Sequence, residues 1–338
     1  MSMLKYIFRR ILALIPVLFG VMTLTFILSR LLPGDPVLAY LPERFNLDEY
    51  NRAFRALGFD RPIIEQYFNY IIKLFSGDWG VSLSIARGVP VWELIMISLP
   101  RTVDIALMSM IIATYVGIKT GVISATHRNK FQDTFFRGLS LVGVAIPVFF
   151  LGMILQFTIG YLVPIFPTTG YKDYRYIDPP RITGFRLIDY LLGGYIYMIP
   201  DYLYHLALPV FCLAFISLAS IVRQTRSSML EVLEQDYIRT ARAKGCKEKD
   251  VINTHAKKNA LIPTVTVIGL SFAGLLSGAV LTETTFGLAG IGQLLVQSIT
   301  NSDYWVLNGL VFFFAIIFVV INLITDVIYG ILDPRIRY

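Results

Sequence analysis

An all-α polytopic membrane protein with six transmembrane helices is the fold class this sequence predicts, and three observations predict it. The 338 residues are 55% hydrophobic and only 16% charged, where a soluble domain carries about 25% charged residues. Six apolar stretches are long enough to cross a hydrocarbon core of about 30 Å, which takes roughly 20 helical residues. The basic residues concentrate on alternate connections, and positive loops stay in the cytoplasm.

The first span is read over residues 11–32. It follows Lys5, Arg9 and Arg10, and its apolar run is longer than that of a secretory leader, so it is expected to be retained. The others are read over 103–125, 135–163, 203–222, 262–281 and 306–332. The second connection carries His127, Arg128, Lys130 and Arg137, and the fourth carries a run of basic residues from Arg223 to Lys258. Arg335 and Arg337 close the chain, whereas 282–305 has neither Lys nor Arg. Six spans with both termini cytoplasmic (N-in/C-in) satisfy all of these. Residues 1–102 then form the first helix plus an external loop region. Residues 103–338 form a core of five helices with a cytoplasmic loop at 223–262.

The outer connections have their own character. Apolar residues over 62–75 recur at helical spacing, predicting an amphipathic helix on the outer membrane surface or capping the bundle. Residues 161–201 are rich in Gly, Pro and Tyr and read as an irregular loop with interfacial aromatics. No convincing internal repeat is present, which argues weakly against a secondary transporter.

Between the fourth and fifth spans lies Asp236-Tyr-Ile-Arg-Thr-Ala-Arg-Ala-Lys-Gly245, followed by His255 and Asn259-Ala-Leu-Ile-Pro263. Short amphipathic helices suit this polar region. Gly245 is placed to end one, and Lys247-Glu-Lys-Asp-Val-Ile begins the next. Such an element is either a rigid surface for a soluble partner or a basic loop against lipid headgroups.

Polar residues elsewhere are candidates of a second kind. Asn322 and Asp326 stand one turn apart in the last span, so they share a face. That face lies on a translocation path or helix interface, or the two satisfy each other. Asp104 is expected to open the second span and stabilise its dipole. Glu283 and Phe286-Gly-Leu-Ala-Gly-Ile-Gly292 predict a tight turn or a short re-entrant piece. Cys212 and Cys246 are too few for a disulfide framework.

Several blocks together resemble the B-type permeases of the dipeptide, oligopeptide and nickel group of ABC importers. They are Leu4-Lys-Tyr-Ile-Phe-Arg-Arg-Ile11, Leu32-Pro-Gly-Asp-Pro36, Leu57-Gly-Phe-Asp-Arg-Pro62, Gly77-Asp-Trp-Gly80 and the loop from Ser227 to Gly245. Leu281-Thr-Glu-Thr-Thr-Phe-Gly287, Asn322-Leu-Ile-Thr-Asp326, Tyr329-Gly and Asp333-Pro-Arg-Ile-Arg337 complete the set, so the resemblance covers essentially the whole chain. Where the wider permease family has Glu-Ala-Ala before its glycine, this chain has Arg239, Thr240 and Ala241, and Ile262-Pro263 lies farther from Gly245 than usual. Contacts of the missing Glu do not transfer.

The resemblance implies a type I ABC importer permease fold. It also implies that Arg239, Thr240, Ala241, Arg242, Lys244, Gly245 and His255 meet one of two ATPase subunits. Glu283, Phe286, Gly287 and Gly290 would lie near an outer gate or the docking surface of an external substrate-binding protein. A homologous C-type permease would complete the membrane part, and a di- or oligopeptide would be the cargo.

No cofactor is expected in this chain. It lacks the phosphate-binding loop Gly-x-x-x-x-Gly-Lys-Ser/Thr, so ATP and Mg are expected on the partner subunits. His127, His205 and His255 are scattered over both membrane sides, which disfavours a metal site. Nucleic-acid binding is not needed to explain the basic loop, because membrane orientation does so. The nearest rival keeps the mechanism and changes the cargo to nickel or another small solute. A self-sufficient ion-coupled transporter would leave the basic loop unexplained.

Overall fold

The computed structural model describes residues 12, 15–27, 35–41, 44–277 and 279–332. The described residues are overwhelmingly helical. α1 (Ile15–Ile27) is followed by α2 (Pro36–Tyr40), α3 (Leu47–Ala56) and α4 (Ile63–Phe75). Then come α5 (Val91–Thr126), α6 (Phe131–Ala145) and α7 (Val148–Leu155), which runs into a π-helical turn over Gln156–Leu162. α8 (Arg186–Leu192) precedes α9 (Ile199–Leu233), α10 (Asp236–Ala243) and α11 (Glu248–Asp250). A second π-helical turn, Val251–Ala256, leads into α12 (Lys257–Leu276), and α13 (Val280–Phe286), α14 (Ile291–Thr300) and α15 (Tyr304–Leu332) end the fold.

Among the described residues, four helical stretches are long and apolar enough to cross a membrane, and a bent pair adds a fifth if it is counted as one span. That pair corrects the sequence expectation of one continuous span over 135–163. α6 and α7 meet at 101° because Pro147 follows Ile146, whose backbone is extended with ψ 124°. A residue before proline is pushed out of the helical region, and proline cannot donate to the ladder. The flanks of α1 that would complete the expected first span lie outside the described residues.

The second span is also longer than expected. α5 starts at Val91 and carries Pro100 in its interior. An interior proline strips the carbonyl four residues back of its partner. Here that carbonyl belongs to Met96, and the Arg181 guanidinium donates to it at 2.7 Å. Asp104 is therefore thirteen residues into α5 rather than at its start, and its dipole role is withdrawn. It is buried and accepts from the Tyr202 hydroxyl at 2.6 Å.

α5 and α9 form the central pair. Small residues let their backbones approach, as membrane helices require where apolar lipid offers no hydrophobic driving force. A β-carbon on Gly117 would sit 2.7 Å from Ile221, and one on Gly121 would sit 2.6 Å from Thr225. α6 joins the other side of α9, where Gly143 faces Ala219. α12 packs on α9 through the Thr225 and Thr264 hydroxyls, 3.4 Å apart, and α15 closes on α12 where Gly269 meets Thr325.

The amphipathic helix predicted over 62–75 is α4, and it caps the bundle. Tyr70, Ile71 and Leu74 pack with Met22 and Phe26 of α1 and with Leu310 and Phe313 of α15. Residues 163–185 form the expected irregular loop, but α8 follows within the stretch read as irregular. Asp189 organises its start by accepting from the Thr183 amide and hydroxyl and the Gly184 amide, at 2.6 to 3.0 Å.

Candidate functional site

Two groups of sequence-selected residues lie at opposite ends of α5. One is the polar loop beyond α9. Its fold follows the sequence closely: α10 ends at Ala243, and Gly245 takes a left-handed φ of +78°. The Gly245 amide donates to the Arg242 carbonyl at 2.9 Å, and the Cys246 amide donates to that of Ala241 at 3.2 Å. These two bonds are the Schellman arrangement, which needs a residue free to turn left-handed. Arg242 then spans the turn with two bonds to Glu248, at 3.1 and 2.7 Å. The guanidinium holds the Glu248 carboxyl below its ordinary range.

The loop is anchored rather than loose. Ile238, Ala241, Val251 and Ala256 are buried with Met229 of α9 and Ala125 of α5. The Asn259 amide group donates to the Tyr237 hydroxyl at 2.9 Å, tying α12 back to α10. Of the selected residues, Arg239, Thr240, Arg242, Lys244, Gly245 and His255 are exposed. Ala241 instead faces inward, so its small side chain serves packing within the chain.

Beneath the loop lies a charge pair that sequence reading missed. Asp133 is fully buried and accepts two bonds from Arg226, at 2.6 and 2.9 Å. Ser124 and the Asn129 amide supply two more, at 2.7 and 3.0 Å. This constellation ties α5, α6 and α9 together where the polar loop leaves the bundle. A carboxylate at the very start of an apolar helix was the available signal, since a buried charge demands a partner.

At the other end, Glu283 is fully buried and grips the turn that follows it. It accepts from the Thr102 hydroxyl at 2.6 Å and the Gln293 amide at 3.0 Å, while Thr102 accepts from the Ile291 amide at 2.9 Å. Burial pushes the Glu283 carboxyl above its ordinary value, although the bonds from Thr102 and from the Gly292 and Gln293 amides oppose this. Gly290 must be glycine, because a β-carbon there would lie 2.5 Å from the Glu283 carboxyl. Gly287 ends α13 in a left-handed conformation, φ +62°. The predicted tight turn is present, but Glu283, Phe286 and Gly290 are buried and only Gly287 is open to solvent.

Asn322 is half-buried on α15. The Asp326 side chain lies outside the described residues, so the predicted pairing is not placed. A cavity of about 970 Å³, mostly apolar, runs between α5, α12 and α15 and reaches Lys119, Asn253 and Lys257. Both cysteines are free, Cys212 buried and Cys246 exposed.

Comparison with known proteins agrees with this architecture. The model of the family described as "Binding-protein-dependent transport system inner membrane component" matches residues 117–338, and its N-terminal counterpart matches 3–106. The chain is 40% identical to the dipeptide transport system permease protein DppB of Escherichia coli K12, over 99% of each chain. It is 42% identical to the di/tripeptide permease protein DppB of Pseudomonas aeruginosa UCBPP-PA14, again over 99% of each. Identity to the oligopeptide permease protein AppB of Bacillus subtilis 168 is 37%, over 99% of this chain and all of that one. Among solved structures, a chain of the inward-facing MetNI methionine ABC transporter superposes with a TM-score of 0.55 at 15% identity, covering 71% of this chain and 97% of its own. Family model, full-length relatives and shared fold converge: the chain belongs to the binding-protein-dependent transport system inner membrane components.

Proposed function

We propose that this chain is the membrane-embedded permease subunit of an ATP-driven importer in the plasma membrane, and that its cargo is a di- or oligopeptide. The observation that carries the cargo is end-to-end identity of about 40% to permeases named for dipeptides and di/tripeptides. The chain passes its substrate without hydrolysing ATP, and separate ATPase subunits that hold ATP and Mg do the work. An external binding protein delivers the peptide, and a second, homologous permease completes the path. Six spans with both termini cytoplasmic remain our reading of the topology.

Coupling runs through the polar loop. Lys244 and His255 are exposed beside Arg239 and Arg242, which pair with Asp236 and Glu248, and this mixed, exposed polar face suits a charged groove on an ATPase subunit. Nucleotide-driven closure of those subunits shifts the permease pair between inward- and outward-open states. The apolar groove along α5, α12 and α15 is the face left for the partner permease.

Reconstitution with ATPase, partner permease and binding protein in proteoliposomes tests the reading. Labelled dipeptide uptake should require ATP and every partner. Uptake by this chain alone would overturn the proposal, and ATP-dependent uptake of nickel but not dipeptide would change the cargo.

A further inference from the structure

Arg101 of α5, Arg181 of the long loop and Arg186 of α8 line one cavity of about 190 Å³, together with Asp178, Asp189 and Tyr190. The charges around it do not balance. Asp189 spends its oxygens on Thr183 and Gly184. Asp178 is shared between Arg186, at 2.6 Å, and Lys172, at 3.3 Å. Three guanidiniums therefore line the cavity against two carboxylates, and one of those is occupied by neutral donors.

The guanidiniums also keep donors in reserve. Each has five N–H groups. Arg101 uses one on the Ala289 carbonyl at 2.8 Å, and Arg181 uses one on Met96 at 2.7 Å. Among the described residues, neither forms an ion pair. Arg186 and Arg101 both lie over the Tyr171 ring, at 3.9 and 5.4 Å from its centroid. That stacking fixes the two planes, which is the preorganisation that a bidentate carboxylate contact requires.

We propose that this cavity is a binding site for a carboxylate group, with Arg101 as its principal ligand. The volume admits the carboxylate and a few adjoining atoms, not a whole oligopeptide. Arg101 also holds Ala289, next to the turn gripped by Glu283, so occupancy bears directly on that turn. The site rests on the importer reading only for the source of the carboxylate, a peptide C-terminus or an acidic side chain of the external binding protein.

The test uses the assembled transporter in nanodiscs without ATP. Saturation-transfer NMR compares alanyl-phenylalanine with its C-terminal amide, and a parallel titration measures docking of the peptide-free binding protein. A peptide source predicts that the acid binds at least tenfold more tightly than the amide, and that Arg101→Met abolishes the preference. A protein source predicts no such preference, but docking weakened at least tenfold by Arg101→Met. In either case Arg101→Lys, which keeps the charge, should retain part of the effect, and an unchanged melting temperature certifies the fold of both variants. Equal binding of acid and amide together with undiminished docking in Arg101→Met overturns the site. ATP-driven uptake of nickel alone by the unaltered complex would sink the peptide reading while leaving these binding results standing.

Discussion

Glu283 is a carboxyl whose burial outweighs its bonds from Thr102, Gly292 and Gln293, and that ordering has a pH signature. Its folded value lies above the ordinary 4.5. Its contribution to stability is therefore fully present below 4.5 and is lost as pH rises through the raised value. Thermal unfolding in detergent should show the unaltered chain losing stability with rising pH over that window, and Glu283→Gln losing less. Glu283→Ala strips acceptors from the Thr102 hydroxyl and the Gln293 amide, each unmade buried bond costing ~1–3 kcal/mol. Abundance in the membrane should fall with it; normal abundance with lost transport would return the residue to a gating role. Gly245 is the opposite case, with open space where a β-carbon would go. Only the left-handed backbone resists substitution there, at about 1–2 kcal/mol. Gly245→Asp should thus insert at normal abundance yet uncouple uptake from ATP hydrolysis in proteoliposomes, and normal transport by that variant would refute the coupling role.

At the scale of elements, close approach of α5 and α9 depends on glycines that point at specific atoms. Gly121→Leu drives a side chain into Thr225 and the Val222 carbonyl, and overpacking of that kind costs about 1–3 kcal/mol. Gly138 on α6 has nothing within 4 Å of its would-be β-carbon, so Gly138→Leu is the matched control. A melting temperature lowered only in the first variant checks the packing, and equal loss in both would refute it. Hydrophobic runs made most of these helices legible, and Gly245 announced the turn between α10 and α11. The bend at Pro147 was legible in principle, but an apolar run reads the same whether straight or folded back. Likewise α5 begins twelve residues before its expected start; it runs through Pro100, and the Arg181 donor that relieves that proline is remote in sequence.

For the whole molecule, the same asymmetry explains which groups a sequence reading could single out. The exposed face of the polar loop is local: its charges and glycine lie within one short segment. The Asp133–Arg226 pair, the Asp104–Tyr202 bond and the arginines around Tyr171 join residues far apart in the chain, and no periodicity reveals such partners. Asp303 makes the same point. It is buried, immediately precedes α15 and accepts from Ser82 at 2.6 Å and from the amides of Leu83 and Ser84 at 3.0 Å. Tertiary bonds of this type stitch the segment before α5 to the last helix, so the N-terminal loop region packs as part of the bundle.

The bidentate clasp of Arg226 on Asp133 has a mechanical corollary. Together with the glycine seams it welds α5, α9 and the polar loop into one beam, and leaves the corner at Pro147 as the joint. Distances within the beam should then be invariants of the transport cycle. Cys246 is exposed and Cys212 buried, so a spin label attaches selectively at Cys246, with a second introduced at exposed Tyr115 of α5 or Phe150 of α7. Pulsed dipolar spectroscopy should return one unchanging separation to Tyr115→Cys with and without trapped ATP, and a shifted one to Phe150→Cys. Motion in the first pair would mean that the coupling push proposed at the loop is absorbed before it reaches the membrane.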